Sequence, residues 1–223
     1  MQPGRDVVRT ILTNDPWHDN TGATRVPTLI HLRHSPVLGQ GSERRCYLHP
    51  NDDSKVIKVA FKGGKNRNQN NIESVYYQHL LTAKADLSML AGYFGQTETD
   101  LGPGLIFERV CNHDGTDAVS LLEALEQNLL SETLIHTLID RLAGYLHKNS
   151  ILFVDVGFAN ILLPRQEDGS YRISVIDGIG SRHPGFKFFI YRHCRPLRTY
   201  KIRKQLNVIQ TRLQQHLEKS PAN

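Results

Sequence analysis

The sequence predicts an α+β fold with an antiparallel, sheet-rich N-terminal lobe and a helical C-terminal lobe. Short β-branched segments separated by turn residues fill residues 36–61 and 89–110, which is typical of strands. Apolar residues recur every three or four positions through much of residues 120–150 and 200–219, which is typical of amphipathic helices. Strands precede helices along the 223-residue chain, and this order favours the α+β class.

The first elements follow from turn residues and from the spacing of apolar residues. Residues 1–30 are rich in Pro, Gly, Asn, Asp and Thr, which predicts a loose extension with one short helix at Arg5–Leu12. The segment "PVLGQGSERRCYLHPNDDSKVIKVAF" predicts strand, glycine turn, strand, polar turn and strand. "NIESVYYQHLL" has helical spacing, and "MLAGYFGQTETDLGPGLIFERV" predicts two strands joined by a turn.

The second half of the chain is predicted to be mainly helical. "SLLEALEQ" and "SETLIHTLIDRLAGYLHKNS" read as helices, the second capped by Ser131. "ILFVDV", "NILLPR" and "YRISVIDGIG" predict short strands with loops between them. The tail "YKIRKQLNVIQTRLQQHLEK" predicts an amphipathic helix, because its apolar residues fall at helical intervals: Ile202, Leu206, Ile209, Leu213 and Leu217.

Composition narrows the class of protein. Apolar residues make up 39% and charged residues 22% of the chain, as in ordinary soluble domains. No segment approaches the roughly 18 apolar residues that a membrane span needs. The N-terminal "MQPGRDVVRTILTNDPWHDN" has no apolar block of the signal-peptide kind. We therefore expect a soluble, cytoplasmic protein without a transmembrane segment.

Positive charge is concentrated near the C-terminus. Nine Lys or Arg residues and no acid lie between Gly178 and His216, which leaves 18 bases against 22 acids in the rest of the chain. This basic block, Arg182–Arg212, predicts contact with a phosphate-rich partner such as nucleic acid, nucleotide or anionic lipid. The alternative is a solvated surface or one that packs on the protein's own acidic face. Aromatic residues are interleaved with it and either stack on bases or pack in the core: Phe186, Phe188, Phe189, Tyr191 and Tyr200.

Three features of the N-terminal half are suited to binding a polyphosphate. Gly39 and Gly41 lie between two strands, where glycines let backbone N–H groups approach phosphates; an ordinary hairpin turn is the alternative. Lys58 stands within an apolar strand, so it either meets an anion or reaches solvent from an edge. Glu73 in the following helix can pair with Lys58, or it is an exposed helix glutamate.

The segment "YLHKNSILFVDVGFANILL" carries an acid and an amide at a spacing suited to catalysis. Asp155 can orient a hydroxyl and take its proton, and Asn160 can offer its carbonyl oxygen to Mg²⁺. Asp177 in "SVIDGIG" adds a charged oxygen ligand at a strand end. Each residue alone has a plain alternative as a turn former. Together with the glycines, Lys58 and Glu73, they follow the order of the protein-kinase signature set.

On these motifs the chain resembles a two-lobed protein kinase-like fold with a reduced helical C-lobe. Within that superfamily it is similar to the YrbL-like family, small bacterial proteins associated with the PhoP regulatory network. The segments "LGQGSERRCYLHPNDDSKVIKV", "YFGQTETDLGPGLIFE" and "NILL" carry this resemblance, which extends from about His31 to about His216. It implies an extension at 1–30, an N-lobe at 31–111 on the nucleotide-phosphate side, and a C-lobe at 112–223.

The resemblance implies ATP and Mg²⁺ as cofactors. Lys58, held by Glu73, would contact the phosphates, and Asp155 would position the acceptor hydroxyl. Asn160 and Asp177 would bind the metal. The remaining nucleotide contacts would come from the glycine loop and from the connector against the adenine: Gly39, Gly41, Ser42, Phe107, Glu108 and Val110.

Departures from the kinase pattern leave three hypotheses open. The third glycine position is Arg44, the His-Arg-Asp segment reads Phe153-Val154-Asp155, and Gly157 replaces the lysine of protein-directed kinases. The metal motif reads Asp-Gly-Ile, and only 46 residues follow Asp177. These departures argue against an ordinary protein kinase and for a small-molecule or lipid-linked kinase or a pseudokinase. The first hypothesis is a phosphotransferase with a non-protein or unknown acceptor, for which an anion is one candidate, and the filled polar positions favour it. A pseudokinase that binds nucleotide for regulation is the second hypothesis, and a nucleic-acid or anionic-membrane binder using the basic block is the third.

Overall fold

The computed structural model describes residues 29–61 and 68–219. The chain divides into two compact units, Met1–Gly64 with Gly92–Glu108 and Lys65–Ala91 with Arg109–Asn223. We call them the sheet unit and the helical unit. The predicted helix at Arg5–Leu12 lies outside the described residues.

A five-stranded antiparallel sheet forms the sheet unit, as the sequence predicts. Its strands are β1 (Val37–Gln40), β2 (Arg44–Leu48), β3 (Lys55–Ala60), β4 (Tyr93–Thr99) and β5 (Gly102–Glu108), in the spatial order β1-β2-β3-β5-β4. Tyr47 of β2 and Ile57 and Val59 of β3 form a buried apolar cluster with Leu32, which precedes β1.

Turn chemistry sets the register of this sheet. In the β2–β3 turn, Asp52 accepts the backbone N–H of Ser54 at 3.0 Å and pairs with the Lys55 ammonium at 2.8 Å. In the β4–β5 turn, the Thr99 hydroxyl donates to the Gly102 carbonyl at 2.6 Å, and Gly102 has a φ of 112° that favours glycine. Both turns use the Asp, Ser, Thr and Gly residues from which the sequence predicts a reversal.

Among its described residues, the helical unit contains five α-helices, one short 3₁₀ helix (Phe158–Asn160) and a small two-stranded sheet. The helices are α1 (Gln69–Thr82), α2 (Leu121–Glu126), α3 (Glu132–Lys148), α4 (Phe186–His193) and α5 (Arg195–Lys219). β6 (Ile161–Leu162) and β7 (Ser174–Val175) pair antiparallel. From Val37 to Glu108 the chain forms three strands, then α1, then two more strands. This is the order that the sequence predicts.

Side-chain caps begin two of these helices. Ser120 and Glu123 form a reciprocal capping box at α2, with the Glu123 N–H donating to the serine hydroxyl at 3.1 Å and the Ser120 N–H to the carboxylate at 2.7 Å. Ser131 accepts the Leu134 N–H at 3.3 Å and caps α3, as the sequence predicts.

The prediction of a strand over "ILFVDV" was wrong. Residues 151–156 form no strand and make one isolated antiparallel bridge, between Phe153 and Ile179. The N–H groups of Val154 and Asp155 both donate to the Gly178 carbonyl, at 2.8 and 3.0 Å. Two successive donors on one acceptor cannot continue a ladder, so the segment becomes a buried loop.

The sequence did not predict α4, and α5 starts before the predicted tail helix. The guanidinium of Arg198 in α5 donates to the Tyr191 and Arg192 carbonyls at the end of α4, at 3.3 and 2.8 Å. The aromatic residues of the basic block divide between two environments. Phe188 is buried, whereas Phe186 and Phe189 are more than half exposed, at 76% and 56%.

None of the helices within residues 29–61 and 68–219 combines the length and the apolar content that crossing a membrane demands.

Candidate functional site

Backbone hydrogen bonds fold the segment from Asp155 to Asn160 into a tight loop. The Gly157 N–H donates to the Asp155 carbonyl at 2.7 Å, and the Asn160 N–H donates to the Gly157 carbonyl at 3.0 Å. The Asn160 side-chain amide nitrogen also donates to the Asp155 carbonyl, at 3.0 Å. This bond fixes the orientation of the Asn160 amide within the loop, because its nitrogen is held by the backbone.

The Asp177 segment lies against this loop. The Ile176 N–H donates to the Asn160 carbonyl at 2.9 Å, which brings the residue before Asp177 beside the end of the loop. The Asp177 carboxylate accepts the N–H of Gly178 at 2.7 Å. Asp177 is half-buried and Asp155 is exposed. The structure thus brings three predicted site residues, Asp155, Asn160 and Asp177, onto adjoining segments of the helical unit.

Gly178 makes this close approach possible. Its φ is +85°, and a Cβ at this position would lie 2.7 Å from the Asp155 carbonyl oxygen and 2.9 Å from the Asp155 Cβ. A side chain would therefore separate the two segments or strain the backbone. The glycine that follows Asp177 is required by the packing of the candidate site itself.

A tyrosine of α1, Tyr76, forms a hydrogen bond with the segment that precedes the loop. The Tyr76 hydroxyl accepts the N–H of Leu152 at 2.8 Å, and both residues are fully buried. Burial raises the pKa of Tyr76 to about 12, so the hydroxyl remains neutral near pH 7. The Gly180 N–H donates to the Leu152 carbonyl at 2.8 Å. Both backbone polar groups of Leu152, its N–H and its carbonyl, are therefore hydrogen-bonded.

Two arginines of the basic block contact the loop. The Arg182 guanidinium donates to the Asp155 carboxylate at 2.9 Å, and both side chains are more than half exposed, at 56% and 59%. The Arg212 guanidinium donates to the carbonyl of Val156. The sequence reasoning missed both contacts. The only signal for them was the concentration of bases after Asp177, which says nothing about which base meets which acceptor.

The predicted phosphate loop in the sheet unit does not need glycine for its own conformation. Neither Gly39 nor Gly41 has a positive φ, and a Cβ on Gly39 would meet no atom within 4 Å. A Cβ on Gly41 would approach only the Arg44 carbonyl oxygen, at 3.9 Å. Gly39, Gly41 and Ser42 are all exposed. The structure forms the hairpin of the alternative: Gly39 lies within β1, opposite Cys46, and not between two strands, and the Gly41 N–H donates to the Arg44 carbonyl at 2.9 Å. Phosphate binding by this loop stays a prediction.

Lys58 is buried at the centre of the sheet unit. It lies on β3 opposite Cys46 of β2 and Leu105 of β5, so it is not on an edge strand. Its ammonium is 4.2 Å from the centroid of the Phe107 ring, which is a cation–π contact. The alternative of a solvent-reaching edge lysine is wrong, because the strand is central and the side chain is only 7% exposed.

Glu73 is buried at 3% exposure in α1, which rules out the alternative of an exposed helix glutamate. It belongs to the helical unit, whereas Lys58 belongs to the sheet unit. The predicted pairing of the two stays a prediction.

The predicted adenine contacts are divided between the units, with Phe107 and Glu108 in the sheet unit and Val110 in the helical unit. The Phe107 side chain is buried and packs against the Tyr93 ring in a tilted arrangement, with a centroid distance of 5.3 Å, so its ring is not available to a base. The Glu108 N–H donates to the Gly92 carbonyl at 2.8 Å, and its carboxylate accepts the Gly92 N–H at 3.0 Å. Val110 is buried in the helical unit. Their role in nucleotide binding stays a prediction.

The side chains of Asn160 and Asp177 offer the kind of oxygen ligands that a magnesium–nucleotide complex uses. Within the described part of the chain, no group of three or more His, Cys, Asp or Glu side chains could hold a metal ion. Asn160 and Asp177 together offer one amide and one carboxylate. Mg²⁺ typically binds one or two carboxylates and completes its shell with water and substrate phosphates, so this donor set fits it.

Comparison with known proteins identifies the family. The family model described as PhoP regulatory network protein YrbL matches residues 30–214. YrbL of Escherichia coli strain K12 and YrbL of Shigella flexneri are each 32% identical to the chain over 155 residues, which cover 68% of this chain and 74% of the relative.

A solved structure was also matched. A double mutant of the PknI kinase domain of Mycobacterium tuberculosis has a TM-score of 0.44 at 16% identity, and the match covers 64% of this chain and 56% of that one. The family model spans both units of the described structure. The family resemblance carried by the sequence motifs is confirmed, and the chain belongs to the YrbL family.

Proposed function

We propose that the protein is a kinase-like phosphotransferase that uses ATP and Mg²⁺ to phosphorylate a hydroxyl of a non-protein acceptor. The observation that carries the proposal is the joining of Asp155, Asn160 and Asp177 by backbone hydrogen bonds within one unit. Phosphoryl transfer needs an acceptor-orienting acid and oxygen ligands for the metal, and these three residues supply both. The activity would take place in the cytoplasm, where ATP is available.

Each unit would contribute a different part of the chemistry. In the helical unit, Asp155 would orient the acceptor hydroxyl, and Asn160 and Asp177 would hold Mg²⁺, which neutralises phosphate charge when bound. In the sheet unit, the exposed glycine loop and the buried Lys58 would bind phosphates. Lys58 suits this role because it lies on the central strand β3, opposite Cys46 and Leu105, where the neighbouring strands hold it in place.

Nucleotide binding is tested by thermal unfolding with and without ATP and Mg²⁺. At a hundredfold excess of ligand over its Kd, binding stabilises by about 2.7 kcal/mol, which for a chain of this length raises Tm by roughly 5–10 °C. The shift should shrink in Lys58→Met. No shift in the wild type would contradict nucleotide binding.

Catalysis is tested by the rate of ADP release in three variants. Asp155→Asn should lower turnover by about 10²–10⁴-fold and retain the ATP-induced shift, because the acid acts on the acceptor and not on the nucleotide. Asp177→Asn should weaken the dependence on Mg²⁺. Asp168→Asn is the matched control, since Asp168 is an exposed turn aspartate that accepts the Ser170 N–H at 2.9 Å. Equal turnover in Asp155→Asn and Asp168→Asn would sink the assignment of Asp155.

A pseudokinase with a regulatory role is the second candidate. The ion pair between Arg182 and Asp155 favours it, because it occupies an oxygen of the proposed catalytic carboxylate. Such a protein would also suit the regulatory network that the family description names. It would show the ATP-induced shift with no ADP release above that of Asp155→Asn.

A further inference from the structure

A groove of about 650 Å³ lies in the helical unit beside the candidate catalytic loop. Val154 and Val156, on either side of Asp155 in sequence, form one part of its wall. The segment after Asp177 and the inner face of α5 form the rest, including Arg182 and Lys204. The volume is that of a pocket for a small molecule, which typically occupies 300–1,000 Å³.

The charged side chains that line the groove are all basic, and one of them, Arg182, is paired with the neighbouring Asp155 carboxylate. The groove lining includes Arg182, Lys187, Lys201, Lys204 and Arg212, and no Asp or Glu of the described residues lines it. Lys187, Lys201 and Lys204 form no ion pair with any carboxylate of the described residues. Positive charges that line a concavity focus their field within it and attract anions more strongly than the same charges on a flat surface.

Gln205 is a second, independent sign of a ligand. It lines the groove and is only 6% exposed. Neither its amide nitrogen nor its amide oxygen has a hydrogen-bond partner among the described residues. A buried amide without partners costs about 1–3 kcal/mol for each unsatisfied atom, and such groups call for a ligand or water that satisfies them. Turned towards the groove, this amide would offer N–H donors and an oxygen acceptor beside three lysines, which suits an anion that also carries hydroxyl groups.

We propose that this groove binds a small molecule bearing a phosphate monoester and hydroxyl groups, and that this molecule is the acceptor. The second half of the proposal rests on the proposed function. Lys201, Lys204 and Lys187 would hold the phosphate. The Gln205 amide, which is shielded from solvent in this structure, would turn towards the groove to bind a hydroxyl. The apolar side chains of Val154, Val156 and Val208 would contact the carbon skeleton.

Arg182 connects the groove to the candidate base. It lines the groove and donates to the Asp155 carboxylate at 2.9 Å. A guanidinium has five N–H donors, so Arg182 can contact a bound anion and Asp155 together. In the transfer, the acceptor oxygen bonds to the γ-phosphorus of ATP and its proton passes to Asp155. The bond from that phosphorus to the bridging oxygen breaks, and ADP leaves with the electron pair.

The binding test needs no nucleotide. The ¹⁵N-labelled protein is titrated at low salt with inorganic phosphate, with glucose 6-phosphate and with glucose as the neutral control. The side-chain amide signal of Gln205, assigned by its loss in Gln205→Leu, should shift with both phosphates and stay still with glucose. Glucose 6-phosphate should bind with a Kd on the order of 1 mM or lower. No shift of Gln205 with either phosphate would overturn the proposal.

Two double variants distinguish binding by the groove from binding by the overall positive charge of α5. Lys201→Gln with Lys204→Gln removes two groove cations and should weaken binding of glucose 6-phosphate at least about tenfold. Arg195→Gln with Arg203→Gln removes two exposed cations of the same helix that do not line the groove, and should leave the Kd within about twofold. Equal losses in both would overturn the proposal, because diffuse charge would then explain binding.

Binding to larger anionic partners is the competing outcome. The same proteins are tested against a DNA duplex and against vesicles of phosphatidylglycerol. Tight binding to either that falls equally in both double variants, with no Gln205 shift by the small phosphates, would assign the basic block to that surface instead.

Failure here and failure of the proposed function are distinguishable. An ATP-induced thermal shift with no Gln205 response overturns the groove and leaves the function. A Gln205 response without any ATP-induced shift supports the groove as a phosphate site and overturns its role as an acceptor site.

Discussion

Replacement of Gly178 by alanine should destabilise the helical unit and separate the two segments of the candidate site. The new methyl would lie 2.7 Å from the Asp155 carbonyl oxygen, 2.9 Å from the Asp155 Cβ and 3.2 Å from Phe153 Cε2. Two of these neighbours belong to Asp155, whose loop is held by its own hydrogen bonds, so the methyl has little room to be accommodated.

The expected loss has two independent sources. A side chain at φ +85° costs about 1–2 kcal/mol. Overpacking of a tight contact costs about 1–3 kcal/mol more. The free energy of unfolding should therefore fall by about 2–5 kcal/mol, equivalent to a Tm decrease of roughly 4–20 °C for a chain of this size.

Two other glycines of the helical unit separate these sources. Gly115 has a φ of +82° with nothing within 4 Å of an added Cβ, so Gly115→Ala should show the backbone cost alone, about 1–2 kcal/mol. Gly144 lies in α3 with open space and an ordinary φ, so Gly144→Ala should stabilise by roughly 0.5–1 kcal/mol. Urea unfolding followed by circular dichroism ranks the three variants. If Gly178→Ala is no less stable than Gly115→Ala, the inferred contact with Asp155 is wrong.

Three further predictions test hydrogen bonds and an ion pair that lie within one unit or the other. Tyr76→Phe should lower stability by about 1–3 kcal/mol, because the buried N–H of Leu152 loses its acceptor; amide hydrogen exchange at Leu152 should quicken. Ser120→Ala removes half of a capping box and should cost about 1 kcal/mol in urea unfolding. The Lys55 ammonium and the Ser54 hydroxyl lower the pKa of Asp52 to about 2. The ionised Asp52 carboxylate therefore stabilises the folded protein above about pH 4, and this contribution is lost as the pH falls towards 2. Acidification should lower the free energy of unfolding more in the wild type than in Asp52→Asn.

The strands of the sheet unit could be predicted because their local chemistry agrees with their final pairing. "PNDDS" lies between two β-branched segments, and Asp52 forms the turn bonds that its type favours. The failure at "ILFVDV" has the opposite cause. Ile151, Leu152 and Phe153 are all buried, and such an apolar segment fits a strand or a buried loop equally well. Only the shared acceptor at Gly178, 25 residues after Phe153, decides between them.

The candidate site was predicted in the parts that depend on spacing along the chain. Asp155 and Asn160 are five residues apart, and their loop is closed by local bonds, so the sequence contains most of the information that forms it. The Arg182 contact joins residues 27 positions apart in loop regions, where no periodicity constrains the geometry. Gln205 could have been identified from the sequence. It lies on the same helix face as Ile202 and Ile209, which is buried, and a polar side chain on a buried face requires a hydrogen-bond partner.

The ion pair of Arg182 and Asp155 bears on whether the protein is active. Taken alone, a cation on the proposed base favours an inert protein. Both side chains are more than half exposed, however, and a pair of this kind contributes about 0–1 kcal/mol. A ligand that provides even one charge-assisted hydrogen bond to Arg182 gains more than that, so an anion in the groove could displace or share the guanidinium at little cost. The same arginine that pairs with Asp155 in the absence of ligand would then bind the acceptor, and the pair is weaker evidence for a pseudokinase than its 2.9 Å distance suggests.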